Sequence, residues 1–527
     1  MVFNPVCLQP FTMSWSTIGT YAVLAFTAAV ALNLVYQLAF RLLNTTRPPL
    51  VFHWIPFLGS TICYGIDPYK FFFSCRQKHG DIFTFVLLGR RTTVYLGVKG
   101  NEFILNGKLK DVNAEEVYSP LTTPVFGPDV VYDCPNSKLI EQKKFIKYGL
   151  TQAALESHVP LIEKEVRDYL DASANFLGAS GEVDIAAAMA EITIFTAGSA
   201  LQGEEVRSKL TTEFAALYHD LDKGFTPINF MLPWAPLPHN KKRDAAHARM
   251  HAIYIDIIDK RRLAGTISDA PQVLDMIGNL MQCTYKNGQK LPDKEIANIM
   301  ITLLMAGQHS SASISTWIML RLASEPTVVE KLYQEQLSNL PQTGPNGSLA
   351  PLQYKDLDRL PLHQNVIKET LRLHTSIHSL LRKVKNPLPV PGTPYVIPRS
   401  DIVLSAPGVT ALSDEYFPNA MVWDPHRWET QEPKLEEKED MVDYGYGTIS
   451  KGTSSPYLPF GAGRHRCIGE KFAYLNLTVI VATMVRHMQF SNIEGKTGVP
   501  STDYSSLFSG PIKPARIRWR RRNAKSD

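Results

Sequence analysis

Residues 459–470 read PFGAGRHRCIGE, and the reading of this loop decides how the rest of the chain is read. Three chemistries compete for it. A phosphate-cradling loop of the G-x-G-x-x-G kind fails on spacing, because Arg466 stands where the third glycine after Gly461 and Gly463 is needed. Zinc held by His465 and Cys467 needs two further ligands. The six cysteines (Cys7, Cys63, Cys75, Cys134, Cys283 and Cys467) contain no C-x-x-C pair to supply them. The third chemistry is a thiolate beneath a porphyrin iron. It needs backbone N–H groups turned towards the sulfur, and glycines permit the tight turn and close approach. Gly461, Gly463 and Gly469 bracket Cys467 suitably, Phe460 can shield the sulfur, and Arg464, His465 and Arg466 can meet haem propionates. Thiolate ligation pushes electron density into the iron and favours O–O cleavage.

Composition permits such a protein. The chain has 527 residues, 44% hydrophobic and 20% charged, which is globular and large enough to enclose a cofactor. The net charge is +5, and residues 516–527, with six basic residues and one acid, account for it. That argues against a nucleic-acid-binding face and for a solvated basic tail, with contact to anionic lipid as the alternative.

Met1 to Phe40 holds no charged residue. The stretch from about 15 to 40 is long enough for a transmembrane helix. A cleaved signal peptide would have a basic start and a shorter apolar run. Arg41 and Arg47 follow the span, so the positive-inside rule makes the body cytoplasmic. The expected organisation is an anchor over 1–47, a proline-stiffened linker over 48–60, one domain over 61–515 and the basic tail over 516–527. Within the domain, residues 81–98 alternate apolar and polar as a small antiparallel sheet. Residues 138–335 read as mainly helical. DKEIANIMITLLMAGQHSSASISTWIMLRLAS, 293–324, is one long apolar helix, capped by Asp293 and stopped by Pro326. Gln308, His309 and the serines at its centre argue against a second span. Residues 364–375 read as another helix, and Glu429 to Asp443 as a solvated loop.

The cysteine loop resembles that of the cytochrome P-450 superfamily, F-x-x-G-x-R-x-C-x-G, through Phe460, Gly463, Cys467 and Gly469, with His465 at the arginine position. Glu369 and Arg372, three apart on one helix, match its E-x-x-R motif, which Arg427 completes; a plain surface pair is the alternative. The resemblance implies a mainly α fold with minor β, haem b on Cys467, and the segment Ala306-Gly307-Gln308-His309-Ser310 over the distal haem face. His309 and Ser310 then relay protons to bound oxygen, a buried structural histidine being the plainer reading. Three stretches narrow the resemblance to fungal sterol 14α-demethylases: the Gln308–His309 segment, the R-H-R-C loop, and Tyr118 to Lys144.

That closer resemblance implies further roles. Tyr118, Tyr132, Lys143, Arg382 and His465 hold the haem propionates. The substrate wall comprises Leu121, Thr122, Phe126, Val131, Tyr132, Phe225, Pro227, Phe230, Ala306, Ile377, His378, Ser379, Leu507 and Phe508. Asp222 pairs with His309. The implied reaction removes the 14α-methyl group of lanosterol or eburicol as formate in three oxygenations, within ergosterol biosynthesis. It uses O2 and NADPH electrons delivered by NADPH-cytochrome P-450 reductase at the endoplasmic reticulum membrane, and azoles are expected inhibitors. The rival readings are a monooxygenase of another lipid, a peroxide-rearranging haem-thiolate enzyme, and a non-catalytic haem or sterol binder.

Overall fold

The long helix forms as Asp293–Ser324. In the computed structural model, which describes residues 15–210, 212–263, 275–342, 349–430, 441–445, 448–450 and 452–522, it threads both main cores. Its first half, from Ile296 to Met305, lies in one apolar cluster, and its second half, from Ile314 to Ala323, in another. Between them, Ala306 is exposed and Gly307, His309 and Ser310 are only half-buried. A helix buried at both ends with accessible surface in its middle faces an internal space there. The central polar residues are tolerated for that reason, and a membrane span is excluded by the burial on either side. Asp293 is not the cap: Pro292 takes that position without a side-chain hydrogen bond, and Asp293 pairs with Arg262.

Residues 82–95 form the expected hairpin, Ile82–Leu87 against Arg90–Tyr95. It belongs to a five-stranded sheet continued by Ile402–Ser405, Leu380–Val384 and Val112–Asn113. The linker joins that sheet. Val51 N donates to Thr84 O at 2.7 Å and Thr84 N to Pro49 O at 2.8 Å, so residues 49–51 are pinned as an extra edge strand.

The basic C-terminal segment is not a solvated tail over its whole length. Arg516–Arg521 is a strand between Met488–Ser491 and Ser180–Asp184. Its sequence RIRWRR alternates, burying Ile517 and Trp519 while the arginines point outward. Residues 523–527 lie outside the described residues, as do Cys7 and residues 431–440 of the expected acidic loop. Met441–Asp443, the end of that loop, pairs with Thr448–Ser450 as a short hairpin.

The second expected helix spans Pro361–Leu373 and carries the E-x-x-R pair into full burial. Arg372 donates to both oxygens of Glu369, at 3.0 and 2.8 Å. Arg427 Nε donates to the same carboxylate at 3.2 Å. The remaining guanidinium hydrogens go to the carbonyls of Ala411, Ala420, Val422, Pro418 and Asn419. The surface-pair reading is thereby excluded.

Two predictions follow from these buried groups. Glu369→Gln leaves two buried guanidiniums without their counter-charge, a break that costs about 3–5 kcal/mol. We expect a lower denaturant midpoint by circular dichroism; an unchanged midpoint would mean the carbonyl acceptors suffice. Secondly, burial pushes His158 and His378 down to about 4. The unfolded chain therefore binds more protons than the fold below its own histidine value near 6.5. The contribution of these two is complete above about pH 6.5 and is lost as pH falls towards 4, at about 1.4 kcal/mol per pH unit each. His158→Leu should flatten the measured stability–pH slope by about that amount.

Candidate active site

The cysteine loop is built by its glycines. Gly461 and Gly463 have φ of +68° and +66°, and a Cβ on Gly463 would lie 2.5 Å from Leu105 O. Cys467 N donates to Phe460 O at 2.9 Å, closing the loop. Phe460 packs on Tyr474 of the following helix, Glu470–His487, with ring centroids 5.3 Å apart. Burial pushes the Cys467 thiol up, while a hydrogen bond from the Gly469 backbone and the nearby Lys143 and Arg466 pull it back down. Cys467 nonetheless carries accessible surface.

Beside the sulfur, the five groups expected to hold propionates converge. Tyr118 and Tyr132 rings lie 5.1 Å apart, and Tyr132 is 6.0 Å from His465. Tyr118 Oη accepts from Leu381 N at 3.0 Å, next to buried Arg382. Lys143 Nζ donates to Arg464 O at 2.7 Å. Burial pushes Lys143 down to about 8, and burial together with Arg382, Lys143 and Arg464 pushes His465 well below its ordinary value. The carboxylate seen among them is Glu115, 4.0 Å from His465. A nest of buried cations and phenols with so little counter-charge fits a dianion, as the two propionates of a porphyrin are. Arg464 and Arg466, expected there, are turned elsewhere: Arg464 donates to Gly107 O, and Arg466 pairs with Glu470. A basic residue in a tight loop cannot send every side chain to one face.

A second group gathers on the long helix. His309 Nε2 lies 2.9 Å from Asp222 Oδ1. The ring does not point an N–H along that line, so the two groups are close without an aligned hydrogen bond. Phe508 stacks on His309 at 4.9 Å and 7°. Phe225 meets Phe508 at 5.6 Å and Phe126 at 5.8 Å, which carries the apolar wall across to the helix Glu115–Phe126. Ser310 Oγ donates to Ala306 O at 3.0 Å, and a Cβ on Gly307 would meet nothing within 4 Å. Gln308 points the other way, donating to Ala190 O at 2.6 Å.

The other wall residues distribute as follows. Leu121 and Thr122 are buried, and Thr122 donates to Tyr118 O. Val131, half-buried, has a φ of +51°, a costly value for a β-branched residue. Phe230 and Leu507 pack at the edge of the core that contains Phe225. The side chain of Pro227 lies outside the described residues. Ile377 is half-buried. His378 and Ser379 form a third group, with Nδ1 and Oγ 2.9 Å apart.

Sequence reasoning missed several contacts. Tyr218 lies 5.4 Å from the His309 ring, and burial and Asp222 push its phenol well up. It stands one helical turn before Asp222, a spacing that could have found it. Glu115 is one turn from Tyr118. Tyr64, Tyr69 and Tyr504 surround His378 from distant parts of the chain, with no local signal.

With this geometry in hand, the comparisons with known proteins are decisive about family. A family model described as Cytochrome P450 matches residues 48–519. The protein named Sterol 14-alpha demethylase rstn2 from Aspergillus nomiae is 84% identical over 514 residues, 98% of this chain and 100% of that one. Eburicol 14-alpha-demethylase from Penicillium italicum is 64% identical over 511 residues, 95% and 97% of the two chains. The solved structure of a retinoic acid-bound cyanobacterial CYP120A1 superposes with a TM-score of 0.74 over 90% of this chain and 99% of that one, at 21% identity, a likeness of fold. The glycine-built cysteine loop, the buried E-x-x-R network and a family match over nearly the whole chain have one meaning: the chain belongs to the cytochrome P450 family.

Proposed function

We propose that this chain is a sterol 14α-demethylase, acting on lanosterol or eburicol. The observation that carries the reading is the 84% identity, over nearly the full length of both chains, to a protein named for that reaction. The apolar wall of Phe126, Phe225 and Phe508 supports it, because a rigid sterol offers almost no polar group to bind. Leu121, Thr122, Val131, Tyr132, Pro227, Phe230, Ala306, Ile377, His378, Ser379 and Leu507 complete the proposed cavity.

Cys467 holds haem b, which when bound supplies reductive activation of dioxygen with NADPH-derived electrons from NADPH-cytochrome P-450 reductase. Tyr118, Tyr132, Lys143, Arg382 and His465 would hold its propionates, Lys143 and Arg382 by charge and the phenols and imidazole by hydrogen bonds. The wall holds the sterol 14α-methyl group towards the distal face and excludes water. The methyl group becomes alcohol, then aldehyde, then leaves as formate with a new C14–C15 double bond. Asp222, 37% exposed at its side chain, collects protons from solvent. A modest rotation of the His309 ring aligns its N–H with Asp222, and Ser310 hands the proton into the distal space. The helix Trp15–Leu43, with its apolar stretch Gly19–Phe40, anchors the enzyme by one pass in the endoplasmic reticulum membrane with the body in the cytoplasm. Azoles are expected inhibitors, because a bound haem iron would offer their ring nitrogen a ligand position.

Reconstitution with reductase, NADPH and each sterol should yield formate and Δ14 sterol. Lack of both products, in a preparation whose reduced carbon monoxide complex has the thiolate Soret band, would overturn the reading. His309→Ala should lower kcat by roughly 10²-fold or more with that band intact. Asp222→Asn should lower it by about tenfold or more, with electrons diverted to peroxide. Unchanged turnover in both variants would remove the pair from the proton path.

A further inference from the structure

The end of the anchor helix is built into the body. Gln37 Nε2 donates to His53 O at 2.7 Å, and Gln37 Oε1 accepts from His53 N at 3.0 Å. Asn33 Nδ2 donates to the carbonyls of His53 and Trp54 at 3.1 and 3.2 Å. The linker therefore runs back alongside the last turns of the apolar stretch Gly19–Phe40, and Phe52 and Trp54, 54% and 65% exposed, stand at that depth. Twenty-two residues rise about 33 Å, the thickness of a bilayer's hydrocarbon core. Phe40 then marks the edge of the hydrocarbon on the body side, and whatever surrounds Phe40 lies at headgroup depth.

What surrounds it is basic. The Arg91 guanidinium sits 5.0 Å from the Phe40 ring and 5.5 Å from Tyr36; that of Arg47 sits 5.9 Å from Phe40. Arg91 also lines a surface cavity of about 480 Å³ with Gly89, Arg90, Lys383, Ser400 and Asp401. The charges facing it can be counted. Glu116, also in the lining, is taken by Lys385. Asp401 is buried, bonded by Ser400 Oγ, and has Arg91, Arg47 and Lys383 as its nearest charges. Lys383 donates to Ser400 O at 2.8 Å. Arg90 lies over Phe230 at 5.9 Å. Among the described residues, Arg90 and Arg91 have cation–π contacts and no ion pair. Three cations, Arg90, Arg91 and Lys383, thus line a cleft with one available carboxylate at the depth of lipid phosphates, and Arg47 stands beside it.

We propose that this cleft is a binding site for the headgroup of an anionic phospholipid, its phosphate held by Arg90 and Arg91 and its acyl chains lying along the exposed ring of Tyr36. Guanidiniums pair bidentately with phosphate, and their stems cover the aromatic rings of the helix end. The site rests on the reading of residues 19–40 as a membrane span.

The test uses the full-length chain. Flotation with phosphatidylcholine vesicles at high salt reports the span alone; failure to float overturns that reading and the site with it. Native mass spectrometry of the detergent-solubilised protein, titrated with phosphatidylserine or phosphatidylcholine, reports the site. We expect a preference for phosphatidylserine and a roughly thirtyfold weaker affinity for it in Arg90→Gln/Arg91→Gln, at about fivefold per arginine. Lys383→Gln, expected to lose about fivefold, serves if the double variant lacks the thiolate Soret band. Equal affinity in wild type and a folded variant overturns the proposal. So does displacement of the lipid by inorganic phosphate, which would make the cleft a site for free anions.

Discussion

Glu369 lies wholly out of water and accepts from the guanidiniums of Arg372 and Arg427, the indole of Trp428 and the backbone N–H of Asp424. Such a carboxylate is tolerable because every lone pair is occupied and two cations face it. Its position propagates to the cysteine through rings: Trp428 meets Tyr457 at 5.0 Å, Tyr457 Oη lies 3.1 Å from Tyr474 Oη, and Tyr474 packs on Phe460. Phe460 O in turn receives the Cys467 N–H. The segment from 411 to 427, which has little regular structure, is tied to the same centre by its carbonyls. The loop bearing the sulfur is held from beneath by a network that never touches it.

The opposite wall depends on an interruption. The long helix belongs to two separate cores, and the eight residues between them belong to neither. There Ala306, Gly307, His309 and Ser310 are left only partly covered while Gln308 is tied back to Ala190. Apolar packing on both sides keeps the polar stretch at a fixed height. One helix thus sets His309 against the aromatic rings of Phe225 and Phe508.

Much of this was legible in the chain because the deciding signals are local. A loop's glycines, an i,i+3 acid–base pair and a 32-residue apolar run are each read within one element. What misled was also local. Arg464 and Arg466 flank the cysteine, yet loop geometry directs one to Gly107 O and the other to Glu470. The run RIRWRR looked like solvated charge, but its alternation lets Ile517 and Trp519 face a core while the arginines stay wet.

The sequence by itself determined the glycine-rich cysteine loop, the helical character of the body and the long apolar N-terminal helix, since each rests on residue types at fixed spacings along one stretch. Only the tertiary structure decided which distant groups share a site. Tyr64, Tyr69 and Tyr504 meet at His378, Tyr218 and Asp222 meet at His309, and Arg90, Arg91 and Lys383 meet at one cleft, from distant parts of the chain. No periodicity records those meetings, because they follow from how whole helices and strands pack and not from the pattern along any one of them.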